Sequence, residues 1–217
     1  MTQTALTIAC TGTHCSGKST LTNALAKRLQ LDPINISRPT TAAQQLGYAK
    51  AADVPQDQVQ TFQWMGLFEQ IHQERIRLER PLQTRNAARY NPTPGSVPFT
   101  EHVELLNPGF VSDRAVIDFL AYYQYRLGED TNFESYEDVV KTYAHRYSAI
   151  LYLPPNPNGV EDDNRRFVEG TEQIDKNITK ILGMWSKGLP PVITVPWLPI
   201  EERTNFVIDE LTRLKLI

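Results

Sequence analysis

Gly12-Thr13-His14-Cys15-Ser16-Gly17-Lys18-Ser19-Thr20 decides how this chain is read. It satisfies the pattern G-x-x-x-x-G-K-[ST], and its surroundings satisfy the context the pattern requires. Ala5–Cys10 before it is an apolar run of strand length, and after it Leu21, Leu25 and Leu29 recur every fourth residue, the spacing of one helix face. A strand, a glycine-rich turn and a helix in that order aim successive backbone N–H groups and a positive helix end at an anion. Within this cradle Lys18 is expected to reach phosphate oxygens and the Ser19 hydroxyl to ligate Mg2+, the usual companion of ATP. Gly12, Thr13, His14, Cys15, Ser16, Gly17, Lys18, Ser19 and Thr20 are therefore the expected nucleotide-binding residues, with His14 as a packing residue of the loop.

Further short apolar runs at Ile34–Ser37, Gly109–Ser112, Ser148–Leu153 and Pro191–Val195 read as four more strands. Amphipathic stretches separate them, among them one in which Leu67, Ile71 and Arg75 keep the helical spacing with Leu78 behind them. Strand and helix alternation predicts an α/β fold, a parallel sheet with helices on both faces and ligands at the carboxyl ends of the strands. Residues 1–217 are expected to form one domain, with a long proline-bearing loop at 83–107 as a functional arm.

The composition limits the partners. Lys plus Arg number 22 and Asp plus Glu 25, a net charge of -3, which argues against coating nucleic acid by charge alone. No stretch of about 18 apolar residues exists and the start lacks a signal-peptide pattern, so no membrane partner and a cytoplasmic location are expected. Cys10 and Cys15 are read as two reduced thiols.

Phe110-Val111-Ser112-Asp113-Arg114 delivers an acid and a base to the carboxyl edge of the sheet. Asp113 there can organise Mg2+ or accept the proton of an attacking hydroxyl, and Arg114 can pair with a phosphoryl oxygen.

The phosphate loop, together with Val111-Ser112-Asp113-Arg114-Ala115-Val116-Ile117-Asp118 and Ala121-Tyr122, resembles the NadR-type P-loop kinases, related to thymidylate and deoxynucleoside kinases. The likeness extends to Gln63–Glu74, Tyr152–Pro155, Asp162–Arg166 and Ile200–Arg203. It implies a P-loop NTPase fold, a five-stranded parallel sheet in the order 2-3-1-4-5, with a lid at 156–169. From that lid Arg165 would swing toward the transferring phosphoryl group, with Arg166 beside the nucleotide. Related kinases often carry a Glu-Pro pair after the second strand, where this chain reads Ser37-Arg38-Pro39-Thr40. Asp113 is therefore assigned the catalytic role, and Arg38 is expected to touch the acceptor.

Phe62, Trp64, Phe68, Tyr122, Tyr123 and Tyr125 offer rings to a planar acceptor, Gln63 and Gln70 could read its edge, and Arg75 or Arg77 could hold its phosphate. Arg75 and Arg77, with Arg80, Arg85 and Arg89, also read as a solvated face paired with Glu69, Glu74 and Glu79. The leading expectation is an ATP- and Mg2+-dependent kinase acting on a nucleoside, nucleotide or nucleoside-like acceptor. Two alternatives stay open: a kinase whose acceptor lies within DNA or RNA, and an ATP- or GTP-binding regulator without a small acceptor. A homodimer is also left open.

Overall fold

The computed structural model describes residues 5–35, 38–79, 109–157 and 170–217, and for 38–40 the backbone only. The long loop at 83–107 and nearly all of the lid, including Arg165 and Arg166, lie outside the described residues.

Five strands, β1 (Leu6–Thr11), β2 (Asp32–Ile34), β3 (Gly109–Ser112), β4 (Ala149–Tyr152) and β5 (Val192–Thr194), form one parallel sheet in the order β2-β3-β1-β4-β5. β1 lies in the middle, pairing Ile8 with Val111 on one side and with Ala149 on the other. Both of its faces are covered, which is why it reads as an unbroken apolar run. Ala9 packs into the core on one face, with Phe110 and Ile150, while Ile8 and Cys10 pack into the core on the other, with Val111 and Leu151.

The second strand differs from its sequence reading. It ends at Ile34, where the reading had placed its start, and it contains Pro33. Proline cannot donate to a ladder, and β2 tolerates it because it is an edge strand, bonded to β3 alone.

Seven α-helices are described. α1 (Lys18–Leu29) and α7 (Ile200–Arg213) contribute Leu21, Leu25, Val207 and Leu211 to the core on the Ile8 face. α3 (Val59–Glu79), α4 (Val116–Leu127), α5 (Phe133–Ala144) and α6 (Thr171–Met184) build the other core. α2 (Arg38–Gln45) joins a short 3-10 turn at Ala51–Asp53 in a small cluster with Val59 and Phe62 of α3. Gly66 lets α3 lie close to α4, since a Cβ there would stand 2.9 Å from the Phe119 ring.

No described helix is long and apolar enough to cross a membrane.

Candidate active site

At the end of β1 the backbone enters the phosphate loop through conformations that glycine alone accepts readily. Gly12 has φ 146° and a Cβ there would stand 2.3 Å from the Leu153 carbonyl oxygen; Gly17 has φ 85° and a Cβ would meet the Arg203 guanidinium at 2.9 Å. Cys15 takes a positive φ of 59° between them. The result is the strand-to-helix turn that the motif requires, with α1 opening at Lys18. Lys18 is buried, and its Nζ donates to the carbonyl oxygens of Gly12 at 2.7 Å and Thr13 at 2.5 Å and to Ser16 Oγ at 3.3 Å. Burial pulls its pKa down to about 8, an effect that Asp118 partly offsets.

The start of α1 meets the end of β3 at Ser19 and Asp113, where Ser19 Oγ donates to Asp113 Oδ2 at 2.8 Å. A hydroxyl and a carboxylate this close beside the phosphate loop are hard oxygen donors and suit Mg2+ sharing its remaining positions with water and phosphate. Among the described residues no cluster of three or more His, Cys, Asp or Glu side chains forms a self-contained metal site.

The Asp113-Arg114 turn is held from behind by a buried polar network. Gln70 Nε2 donates to the Arg114 carbonyl and to Ser112 Oγ, both at 3.0 Å, and to Glu74. Glu74 also accepts from the Tyr147 hydroxyl at 2.9 Å, whose oxygen in turn receives the Val116 N–H at 3.1 Å. Most of these buried polar groups satisfy one another, Gln70 Oε1 being the exception, and the network fixes the backbone that carries Asp113 and Arg114.

Beside it lies a mainly apolar cavity. His14 of the phosphate loop, Arg114, Phe62, Gln63 and Gly66 of α3, and Phe119, Tyr122 and Arg126 of α4 line it, with Ala51 at its margin. His14 meets the Tyr122 ring edge-on, centroids 5.6 Å apart, so one wall of the cavity is the phosphate loop itself. The Arg114 guanidinium lies 6.0 Å from the Tyr122 ring centroid. Burial pushes the Tyr122 hydroxyl far above its ordinary pKa. Gln63 is held by the Tyr136 hydroxyl, which donates to its carbonyl oxygen at 3.1 Å. At the far end Arg126 donates to the carbonyl oxygens of Val54, at 3.0 Å, and Ala51, at 3.5 Å.

Of the candidate residues, the phosphate loop, Asp113, Arg114 and Gln63 converge on this region. Trp64 does not line the cavity: its indole stacks on Phe68, centroids 5.2 Å apart, and meets Tyr136 edge-on at 4.6 Å. Arg75 is 69% exposed and bonded to Glu79 at 2.5 Å, and Arg77 donates to Gln73 at 2.7 Å, so neither faces the cavity. Gln70 turns inward to the backbone of Arg114 instead of toward an acceptor. The backbone of Arg38 opens α2.

Two residues that the sequence reading quoted without assigning a role prove central. Asp118, fully buried, accepts from the Thr11 hydroxyl and from the Gly12 N–H at 3.3 Å. The signal for it was its place in the first turn of α4, five residues after Asp113. Arg203, in the first turn of α7, lies 3.9 Å from the Trp197 ring centroid and donates to the Ser16 carbonyl oxygen at 3.4 Å. The Trp197 indole N–H donates to the Pro154 and Pro155 carbonyl oxygens at 3.1 and 2.8 Å, tying the segments after β4 and β5 to the phosphate loop.

Neither cysteine is in a disulfide among the described residues, and burial pushes the Cys10 thiol up to about 12.

Residues 100–203 match a family model described as an AAA domain, just under half of the chain. The matched segment includes Asp113, Arg114, Asp118 and Arg203 and begins well after the phosphate loop. Among solved structures, thymidylate kinase from Candida albicans superposes with a TM-score of 0.60 at 13% identity, covering 97% of this chain and 92% of that one. The NadR protein in complex with NAD and AMP-PNP gives 0.59 at 15% identity, covering 98% of this chain and 50% of that one. Deoxyadenosine kinase from M. mycoides with bound dCTP gives 0.55 at 14%, covering 96% and 100%. A search of curated protein sequences returned no match. At these identities the likeness is one of fold, and at that level the expected resemblance and the expected strand order are borne out.

Proposed function

Since this chain is a P-loop protein, with an AAA-domain segment at 100–203 and the fold shared by NadR and thymidylate kinase, we propose that it transfers the γ-phosphoryl group of ATP to a nucleoside, nucleotide or nucleoside-like acceptor. The observation that carries this reading is the cavity whose wall is shared by His14 of the phosphate loop and by Arg114. A donor cradle and an acceptor chamber with a common wall allow the two reactants to meet in line, which supplies most of what phosphoryl transfer needs.

The roles follow from chemistry. Backbone N–H groups of residues 12–20 and the start of α1 cradle the phosphates, and Lys18 leaves its carbonyl partners for β- and γ-oxygens. Ser19 and Asp113 would hold Mg2+, which when bound neutralises charge on the phosphates. Asp113 bonds to Ser19, which favours the Mg2+ role; the alternative role for the same carboxylate is to accept the proton of a hydroxyl acceptor. Arg114, planar and always charged, pairs with an oxygen of the moving phosphoryl group. Phe62, Phe119 and Tyr122 supply flat apolar walls for a base and Gln63 a donor and acceptor for its edge. The base of ATP lies against the segment after β5, where Trp197 and Arg203 brace the loop. Arg165 and Arg166 are assigned to closure over the phosphates by the resemblance alone.

The test is incubation with γ-labelled ATP and Mg2+ against nucleosides, nucleoside monophosphates, nicotinamide riboside and modified-base oligonucleotides, with Lys18→Ala as control. Label passing to one small-molecule class, and lost in the control, supports the proposal. Label passing only to oligonucleotides moves the acceptor into nucleic acid. ATP bound tightly with label passing to nothing favours a nucleotide-dependent regulator.

A further inference from the structure

The two oxygens of Asp118 face different parts of the site. Oδ1 accepts from Thr11 and Gly12, where β1 becomes the loop. Oδ2 is buried, accepts no hydrogen bond, and faces Arg114 Nη1 at 3.9 Å. That separation is an ion pair without a hydrogen bond. It holds the guanidinium by charge while leaving its N–H groups to other acceptors. Arg114 is thereby confined between Asp118 and the Tyr122 ring, at the cavity wall. Burial disfavours the charge on Asp118, and Lys18 and Arg114 are the cations that oppose this effect.

We propose that Asp118 is a positioning residue that couples the phosphate loop to Arg114, one oxygen fixing the first turn of the loop and the other acting as the counter-charge that aims the guanidinium along the cavity wall. The proposal rests on the kinase reading only in giving Arg114 a phosphoryl oxygen to meet. The coupling itself is a property of the fold, and the thermal measurements below need no acceptor.

The experiment is a cycle on the full chain: wild type, Arg114→Gln, Asp118→Asn and the double variant, each followed by thermal denaturation. Arg114→Gln leaves a buried carboxylate facing Lys18 alone, and its melting temperature is expected to fall by about 5–10 °C. The double variant is expected to regain most of that loss, because the amide no longer needs a counter-charge. Strictly additive changes would overturn the proposal. Should Asp118→Asn fail to fold, Arg114→Lys decides instead: retaining the charge is expected to restore the melting temperature, and a value no better than that of Arg114→Gln counts against the coupling.

Mg·ATP titration of the same proteins separates aiming from scaffolding. Asp118→Asn keeps an oxygen for Thr11 and Gly12, so ATP affinity stays within a few-fold, while kcat for whichever acceptor the labelling assay identifies falls on the order of 10- to 100-fold. In the Arg114→Gln background the same substitution should cost no further kcat. An equal cost in both backgrounds would show that Asp118 acts without Arg114. If wild type phosphorylates nothing, the kinase reading fails and the thermal cycle still decides the coupling.

Discussion

The phosphate loop and the cavity beside it are built in opposite ways. The phosphate loop is nine consecutive residues shaped by local backbone, through Gly12 and Gly17 and the helix that starts at Lys18, with the Lys18 and Ser19 side chains carried on that frame. The cavity proposed for the acceptor draws His14, Gln63, Arg114 and Tyr122 from separate parts of the chain and is walled by side chains. A backbone device is fixed by local conformation and looks alike in many proteins, whereas a side-chain chamber depends on packing and is where a particular acceptor is chosen.

The sharpest way to break this contrast is Lys18→Ala, for which we expect phosphoryl transfer to fall by about 10,000-fold whatever the acceptor, measured by label transfer. Asp113→Asn stands on the boundary between the two sides. Its kcat should fall on the order of 100- to 10,000-fold with ATP binding largely kept, and a variant within a few-fold of wild type removes Asp113 from the mechanism. On the acceptor side, Gln63→Leu should raise KM for the acceptor about 10- to 100-fold and leave the Kd for ATP unchanged. Equal effects on both ligands would mean that the chambers are not separate.

A pH titration addresses the donor side alone. The Lys18 pKa is lowered from 10.5 to about 8, and phosphates bind the ammonium form, so ATP affinity should weaken above about pH 8, by up to about tenfold per unit. The sign for folding is the opposite. Between those two values the unfolded chain holds more protons, so this group makes stability rise with pH across that window. Lys18→Ala should flatten both dependences. The smallest effect belongs to Arg75→Ala, exposed and paired with Glu79 on the outer surface of α3, where turnover should stay within a few-fold in a steady-state assay.

α3 shows why half of the site was harder to read. It carries apolar residues around much of its circumference: Phe62 and Leu67 are buried, whereas Phe68 is 54% exposed and stacks on Trp64. Periodicity alone therefore does not say which rings face the cavity: Phe62, Gln63 and Trp64 are all candidates by sequence, and the first two line it while Trp64 does not. The polar residues of the helix were equally ambiguous. Gln70 and Glu74 are buried behind Arg114, whereas Arg75, one residue on, points to solvent.

By itself the sequence determined the phosphate loop, the parallel α/β sheet around it and the acid-base pair at the end of β3, because each rests on a few adjacent residues in a fixed local conformation. It took the packed chain to show that β2 begins before Ile34, that Asp118 and Arg203 brace the loop, and which side chains of α3 and α4 enclose the cavity. Those outcomes depend on how close two helices can lie, as at Gly66 against Phe119, and on which buried polar groups find one another.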